Sequence, residues 1–374
     1  MLNLEELREL ARINPEGDYY ASLYLNVDPV TNPGGEYLIR VKNMLRETAE
    51  GLQKTKTVLK KVKTELERFE NYFLTQKPAF KKAVCLISGR EGGLWREYHL
   101  AVPVQSGLFV DGTPYLKPLL DAVDSYPRYL ALLVSKDEAR IFVVQMGEIL
   151  EYGEVKSPDV MGSHGKGGWF ALEQDRFARH VEFHVQLHLA DVIRRLEGFI
   201  QEQEVRKIVI GGPQEAVSMC MEMLPGSISG MVIGTFAAGM YEPAPRVLEK
   251  ALPALALFER KEKEKLIEAL VERAHKNDRA VMGLEDVLLM VQEKRIMTLV
   301  LDPALKQTGF VCGNCRALSI SPGDCRFCGS GVDRVNYLID LVMQKTVEYG
   351  GRVEVAPGNE KLQTAGKIGA ILRF

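Results

Sequence analysis

Three observations predict a multi-domain α/β protein. Short apolar runs with strand-like alternation and long stretches of helical apolar spacing follow one another from end to end. At 374 residues with 46% apolar content, the chain is long enough for two or three separate cores. The pattern resets at Asp124-Ser-Tyr-Pro127 and at the Pro-rich Tyr241-Glu-Pro-Ala-Pro-Arg246, which sets expected domains at 1–125, 126–246 and 247–374.

The first domain opens with a short amphipathic helix, Leu4 to Ile13. An alternating strand follows, Tyr20-Ala-Ser-Leu-Tyr-Leu-Asn-Val27, stopped by Asp28-Pro29. From Glu36 onward, Leu38, Val41, Leu45, Leu52, Val58, Leu59, Val62, Leu66 and Phe69 recur at helical spacing, and Gly51 breaks the run into two helices. Lys54, Lys56, Lys60, Lys61 and Lys63 on this arm read as a solvated helix face. Two strands, Ala83 to Ser88 and Arg96 to Val104, make the domain α/β.

In the central domain, Tyr129 to Ser135, Ala139 to Gln145 and Glu148 to Val155 read as consecutive antiparallel strands. A glycine-rich loop interrupts them and runs into a helix from Phe170 to Glu197. Short buried strands at Lys207 to Gly212 and Met231 to Phe236, with helical material between, complete a mixed sheet from one end of which the loop projects. The third domain places helices at Val247 to Asn277, Leu284 to Glu293 and Asp333 to Tyr349 around strands at Ile296 to Leu301, Arg352 to Ala356 and Gly369 to Phe374. That is the pattern of an α/β/α sandwich.

Net charge near −2 excludes a generally basic nucleic-acid coat and leaves room only for a local basic face. No apolar run reaches the roughly 18 residues of a membrane span. The opening Met1-Leu-Asn-Leu-Glu-Glu-Leu is acidic and amphipathic rather than signal-like, so the expected location is cytoplasmic. Neither a membrane nor DNA is an expected partner.

The loop Met161-Gly-Ser-His-Gly-Lys-Gly-Gly-Trp169 packs four glycines, His164 and Lys166 into nine residues. Glycine permits unusual bends and close approach, so a basic loop of this kind has the makings of a finger that reaches something anionic. A mobile surface loop ahead of a helix is the plainer alternative. Phosphate-cradling motifs do not fit: Gly167 follows Lys166 where a phosphate loop needs Ser or Thr, and Phe170 stands where a dinucleotide fingerprint needs its last glycine.

Cys312-Gly-Asn-Cys315 and Cys325-Arg-Phe-Cys328 are two knuckles nine residues apart, with Ser321-Pro-Gly-Asp324 supplying the turn between them. Four thiolates in this arrangement suit tetrahedral Zn2+, and a closed set of four predicts a structural site in a ribbon over 308–332. A redox pair is the competing reading, and it leaves one knuckle unexplained. Cys85 and Cys220, in apolar contexts, read as core residues. His180, His184 and His188, four apart on the helix after the loop, read as a packed or RNA-facing stripe in preference to a metal site, while Phe183, Leu187, Val192 and Leu196 read as core contacts. No Ser/His/Asp or Cys/His grouping stands out, which leaves the glycine loop as the best carrier of any chemistry.

The run His164-Gly-Lys-Gly-Gly168, with Arg176-Phe-Ala-Arg179 on the following helix, resembles the central-domain loop of the archaeal and eukaryotic class 1 peptide chain release factors. Val281 to Val287 and the ending Ala365-Gly-Lys-Ile-Gly-Ala-Ile-Leu-Arg-Phe374 are similar to the third domain of that release factor/Pelota-like superfamily. Ser22-Leu-Tyr-Leu-Asn-Val-Asp-Pro29 resembles its bacterial branch, which lacks the domain that reads stop codons. In the release factors a Gly-Gly-Gln tip enters the peptidyl transferase centre, whereas Trp169 stands here in the glutamine position. Gln174-Asp-Arg-Phe177 matches a Gln-x-Arg-Tyr segment of the bacterial branch.

The resemblance implies a ribosome-associated termination or rescue factor that hydrolyses peptidyl-tRNA on stalled ribosomes or large subunits, with a translational GTPase as a candidate partner. Gly167, Gly168, Trp169 and Gln174 would be its catalytic residues, and His164, Lys166, Arg176 and Arg179 its RNA contacts. The alternatives are a non-catalytic ribosome-binding protein, of the hibernation or occlusion kind, and an RNA-binding adaptor.

Overall fold

The structure, a computed structural model, describes residues 4–13, 17–53, 56–75, 80–89, 92–156, 171–203 and 205–374. Contacts group the chain into two compact units, Met1–Tyr126 with Lys263–Phe374, and Pro127–Glu262. Among the described residues, no helix is long and apolar enough to cross a membrane.

The N-terminal part of the first unit runs α1 (Leu4–Ala11), β1 (Tyr20–Asn26), α2 (Tyr37–Leu52), α3 (Lys56–Thr75), β2 (Ala83–Gly89), β3 (Leu94–Leu100), β4 (Gly107–Asp111) and α4 (Lys117–Ser125). Its sheet has the order β3-β2-β1-β4, antiparallel throughout, with Leu23 opposite Leu86 and Leu108. Ala21, Leu23 and Leu25, alternate residues of β1, pack with Val41 and Leu45 of α2 and Val62, Leu66 and Phe69 of α3. The helical spacing of the arm is therefore the signature of a face laid on the sheet. Glu65 is buried within this arm, where its carboxylate accepts the hydroxyl of Ser88 and, at 2.7 Å, the amide of Gly92.

The second unit contains β5 (Tyr129–Val134), β6 (Glu138–Gln145), β7 (Glu148–Lys156), α5 (Ala171–Glu202), β8 (Ile208–Gly211), α6 (Gln214–Met223), the single-turn α7 (Gly226–Ser229), β9 (Val232–Phe236) and the start of α8 (Ala244–His275). Its sheet, β7-β6-β5-β8-β9, is mixed: β5, β6 and β7 pair antiparallel, and β5, β8 and β9 pair parallel. Both faces of β5 are covered, which is why it reads as an unbroken apolar run. Leu130, Leu132 and Val134 pack with Val185, Leu189, Val192 and Leu196 of α5, while Tyr129, Ala131 and Leu133 pack with Val247, Ala251 and Leu255 of α8.

The third-domain segment continues with β10 (Ala280–Met282), α9 (Leu284–Gln292), β11 (Ile296–Leu301), β12 (Gly309–Cys312), β13 (Leu318–Ser319), β14 (Val332–Val335), α10 (Leu338–Glu348), β15 (Arg352–Val355), α11 (Glu360–Thr364) and β16 (Ile368–Leu372). The order is β10-β16-β11-β15, with β11 parallel to β15 and antiparallel to β16. Val300 and Ile371 pack with Ile267 and Leu270 from the end of α8. The next residues along β11, Leu299 and Leu301, point to the opposite face and are fully buried too, and α10 contacts that strand.

The contact units are cut differently from the expected domains, and one helix boundary needs correction. Residues 247–262, assigned to the third domain, belong to the central unit, and the first and third segments share one compact unit. Pro243 and Pro245 do not end the central unit. They lie at the start of α8, where the missing N–H costs little, and the apolar stripe of that helix then closes the central core. The helix expected from Asp333 begins only at Leu338, because Val332–Val335 pairs with β12 as a strand.

One polar junction ties α4, α8 and β15 together. Lys263 Nζ reaches Asp124 Oδ2 at 2.7 Å and donates to the carbonyl of Val355 at 2.9 Å, and the same carboxylate oxygen accepts the Val355 amide at 3.3 Å. The Asp124 side chain is only 9% exposed, so its removal strands an ammonium and an amide away from water. Asp124→Ala is expected to cost roughly 2–3 kcal/mol in denaturant unfolding. A loss within experimental error would show that water replaces these bonds.

Candidate functional site

The finger predicted to carry chemistry connects the end of β7 at Lys156 to the start of α5 at Ala171. Its residues His164, Lys166, Gly167, Gly168 and Trp169 lie outside the described residues. Gln174, Arg176 and Arg179 lie on the first turns of α5. At 32 residues, α5 is about 48 Å long.

Beyond its first turns α5 sorts its faces clearly. Val185, Leu189, Val192, Ile193 and Leu196 face the core at helical spacing. Phe183 and Leu187, expected in the core, are 56% and 53% exposed, since each stands about 200° around the helix from Val185. His188 is 2% exposed, with its imidazole held below the ordinary range by burial, whereas His184 is half-buried with its ring edge-on to Phe183 at 5.9 Å. These two histidines thus occupy different environments, and the group of side chains able to hold a metal among the described residues is the cysteine cluster.

That cluster sits in a three-stranded ribbon, β13-β12-β14. Val311 pairs with Leu318 on one side and Asp333 on the other, which brings the Cys312 knuckle back toward the Cys325 knuckle. The four Sγ atoms lie within 4.8 Å of one another, and Cys312 to Cys328 and Cys315 to Cys325 are each 3.4 Å apart. A tetrahedron with metal–sulfur bonds of about 2.3 Å has edges of about 3.8 Å, so the cluster has the right size for one ion. Backbone amides already face the sulfurs: Cys315 N to Cys312 Sγ and Phe327 N to Cys325 Sγ are both 3.5 Å. Hydrogen bonds from Ser330 draw the Cys328 thiol down to about 5, and the Phe327 amide lowers Cys325. Burial pushes Cys315 up to about 12. Four thiols packed so closely cannot all ionise without a cation among them.

Cys85 and Cys220 are buried, as expected of core residues, and burial pushes the Cys220 thiol up to about 11. Neither has the thiolate character that reactivity requires.

Sequence comparison assigns the segment that contains the finger. Residues 114–256 match the family model described as bacterial archaeo-eukaryotic release factor family 10. No curated protein matches the chain. Among solved structures, the chain is similar to the archaeal translation termination factor aRF1, at 16% identity over 99% of this chain and 96% of that one, with a TM-score of 0.26. It is similar to Pelota of Archaeoglobus fulgidus, at 14% identity over 100% and 92%, with a TM-score of 0.38. It is also similar to the translation termination-like factor Dom34 of S. cerevisiae, at 12% identity over 76% and 74%, with a TM-score of 0.41. The family match spans the mixed sheet, the finger and α5 together, so over residues 114–256 the chain is similar to the bacterial archaeo-eukaryotic release factors.

Proposed function

We propose that the protein is a ribosome-associated rescue factor that hydrolyses peptidyl-tRNA, with the large subunit and peptidyl-tRNA as its partners and a translational GTPase as an accessory one. The family match over residues 114–256, which brackets the glycine-rich finger, carries this reading. In the proposed reaction a water oxygen attacks the ester carbonyl, the bond from carbonyl carbon to ribose oxygen breaks, and the ribose oxygen leaves with a proton. Gly167 and Gly168 allow the tip to approach closely and offer backbone N–H groups to the developing oxyanion. Gln174 positions the water. An indole only donates, so Trp169 cannot accept from that water and instead stacks on a base of the tRNA end. His164, Lys166, Arg176 and Arg179 face RNA phosphates in this reading.

We further propose that Cys312, Cys315, Cys325 and Cys328 hold one structural Zn2+. All four positions of the tetrahedron are taken by protein, so the ion supplies folding energy to the ribbon and no open position for substrate.

Release of labelled nascent peptide from stalled ribosomes and large subunits tests the enzyme reading. Wild type is expected to release peptide, and Gly168→Ala to slow release about 100-fold, the usual effect of disturbing one oxyanion donor. Gln174→Ala is expected to fall similarly, and Trp169→Ala mainly to weaken binding. Trp169 in the glutamine position favours a second reading, a non-catalytic ribosome-binding protein. Wild type that sediments with ribosomes but releases nothing selects that reading, and wild type that does not sediment with ribosomes removes both.

A further inference from the structure

Within the first compact unit, α4 and α10 wall a cavity of about 480 Å³ that none of the readings above uses. Its size is that of a small-molecule site. Aromatic rings line it: Phe109 and Tyr115 stack with centroids 3.8 Å apart and planes at 21°, and Tyr337 meets Tyr115 edge-on at 6.5 Å. Two carboxylates, Asp121 and Asp340, share the wall with them.

The two acids differ in how they are satisfied. Asp340 is complete, since Oδ1 pairs with Lys117 at 3.2 Å and Oδ2 accepts the Tyr115 hydroxyl at 2.8 Å. Asp121 Oδ1 is shut away from water and has no hydrogen-bond partner. The cations that act on Asp121 are Lys117 and Lys263, and each is committed to another carboxylate, Lys117 to Asp340 and Lys263 to Asp124. Burial, reinforced by Asp340 and Asp124, pushes the Asp121 carboxyl up to about 6. A carboxylate oxygen kept from water without a hydrogen-bond donor is costly, and the cost is recovered when a cation with N–H donors reaches it. Aromatic walls favour the same visitor, because ring faces attract ammonium and guanidinium groups.

We propose that this cavity binds an organic cation, an ammonium or guanidinium group on a short stem, that pairs with Asp121 and lies against the Phe109, Tyr115 and Tyr337 rings. The site involves no residue of the finger and stands independently of the ribosome reading. The cation could arrive as a free small molecule or as the side chain of an arginine-bearing peptide, and the two sources share one chemistry.

Calorimetric titration of the full chain tests this with three probes: agmatine as a free guanidinium compound, an end-blocked Gly-Arg-Gly peptide, and pentanol as an uncharged control. At least one cationic probe is expected to bind and pentanol to fail, with the tighter of agmatine and peptide identifying the source. Asp121→Asn keeps the shape and removes the charge, so it is expected to weaken binding roughly 10- to 100-fold. Its melting temperature at neutral pH should be no lower than wild type, since the unpaired charge is gone, and that separates loss of the site from loss of the fold. The proposal is overturned if neither cation binds at millimolar concentration, if pentanol binds as well, or if Asp121→Asn binds as tightly as wild type.

Discussion

Cys325→Ser is expected to abolish zinc binding and to melt the ribbon from Gly309 to Val335 while leaving the rest of its unit folded. The reason is the poverty of the ribbon's own core. The cluster at its centre is Cys312, Ala317 and Cys325, with Cys315 and Val332 partly buried against it, and its strands add only Val311 and Leu318 as buried apolar side chains. Its strands are two to four residues long. So little apolar area cannot hold three short strands together, and a metal must supply the difference, about 10 kcal/mol in comparable small sites. Wild type should carry one zinc per chain by metal analysis, and the variant none. Amide exchange should then accelerate through 309–335 while β11 and β16, buried in a separate sheet, keep their protection. Chelation of wild type should reproduce the variant. A zinc-free wild type with a disulfide across either knuckle would decide for the redox reading instead.

Gly212→Ala should cost the central unit about 4 kcal/mol or more, the severe end of single substitutions. Gly212 follows β8 with φ +143°, and a Cβ placed there would lie 2.0 Å from the carbonyl oxygen of Val134. That oxygen belongs to β5, the middle strand, whose side chains are buried on both faces, so it cannot retreat without opening both cores. Gly198→Ala makes the internal control. Gly198 lies within α5 with nothing within 4 Å of a new Cβ, so alanine there should be neutral or stabilise by up to about 1 kcal/mol through helix propensity. The denaturant midpoint of Gly212→Ala should therefore fall sharply while that of Gly198→Ala holds or rises. Equal shifts would remove the steric argument.

Much of the fold is legible in the sequence, and the legible parts share a physical cause. The strands β1, β5, β6 and β8 appear in the sequence close to where they stand, because each alternates or runs apolar against faces that are buried. Helices α2 and α3 show themselves through one continuous apolar stripe, and Gly51 lies at the end of the first of them. Illegible elements are those whose partners are remote. Val332–Val335 has helix-compatible neighbours and becomes a strand only because β12 offers it a ladder. Phe183 and Leu187 are apolar like their neighbours on α5, and only the phase of the helix against the sheet turns them outward.

The same division runs through the sites. Local spacing is enough to announce the four cysteines, since a metal ligand set is written in short knuckles, and the finger is visible as a cluster of glycines beside basic residues. The Asp121 cavity has no such signature, because its aromatic and acidic walls come from segments about 200 residues apart, Tyr115 and Asp340 among them. By itself, the sequence determined the periodicities, the cysteine ligand set and the finger's composition, all properties of neighbouring residues. Only the tertiary structure decided that the first half of α8 belongs to the central core and that Asp124 finds Lys263. It alone left Asp121 Oδ1 without a hydrogen-bond donor, because burial and charge pairing depend on residues that the chain brings together from afar.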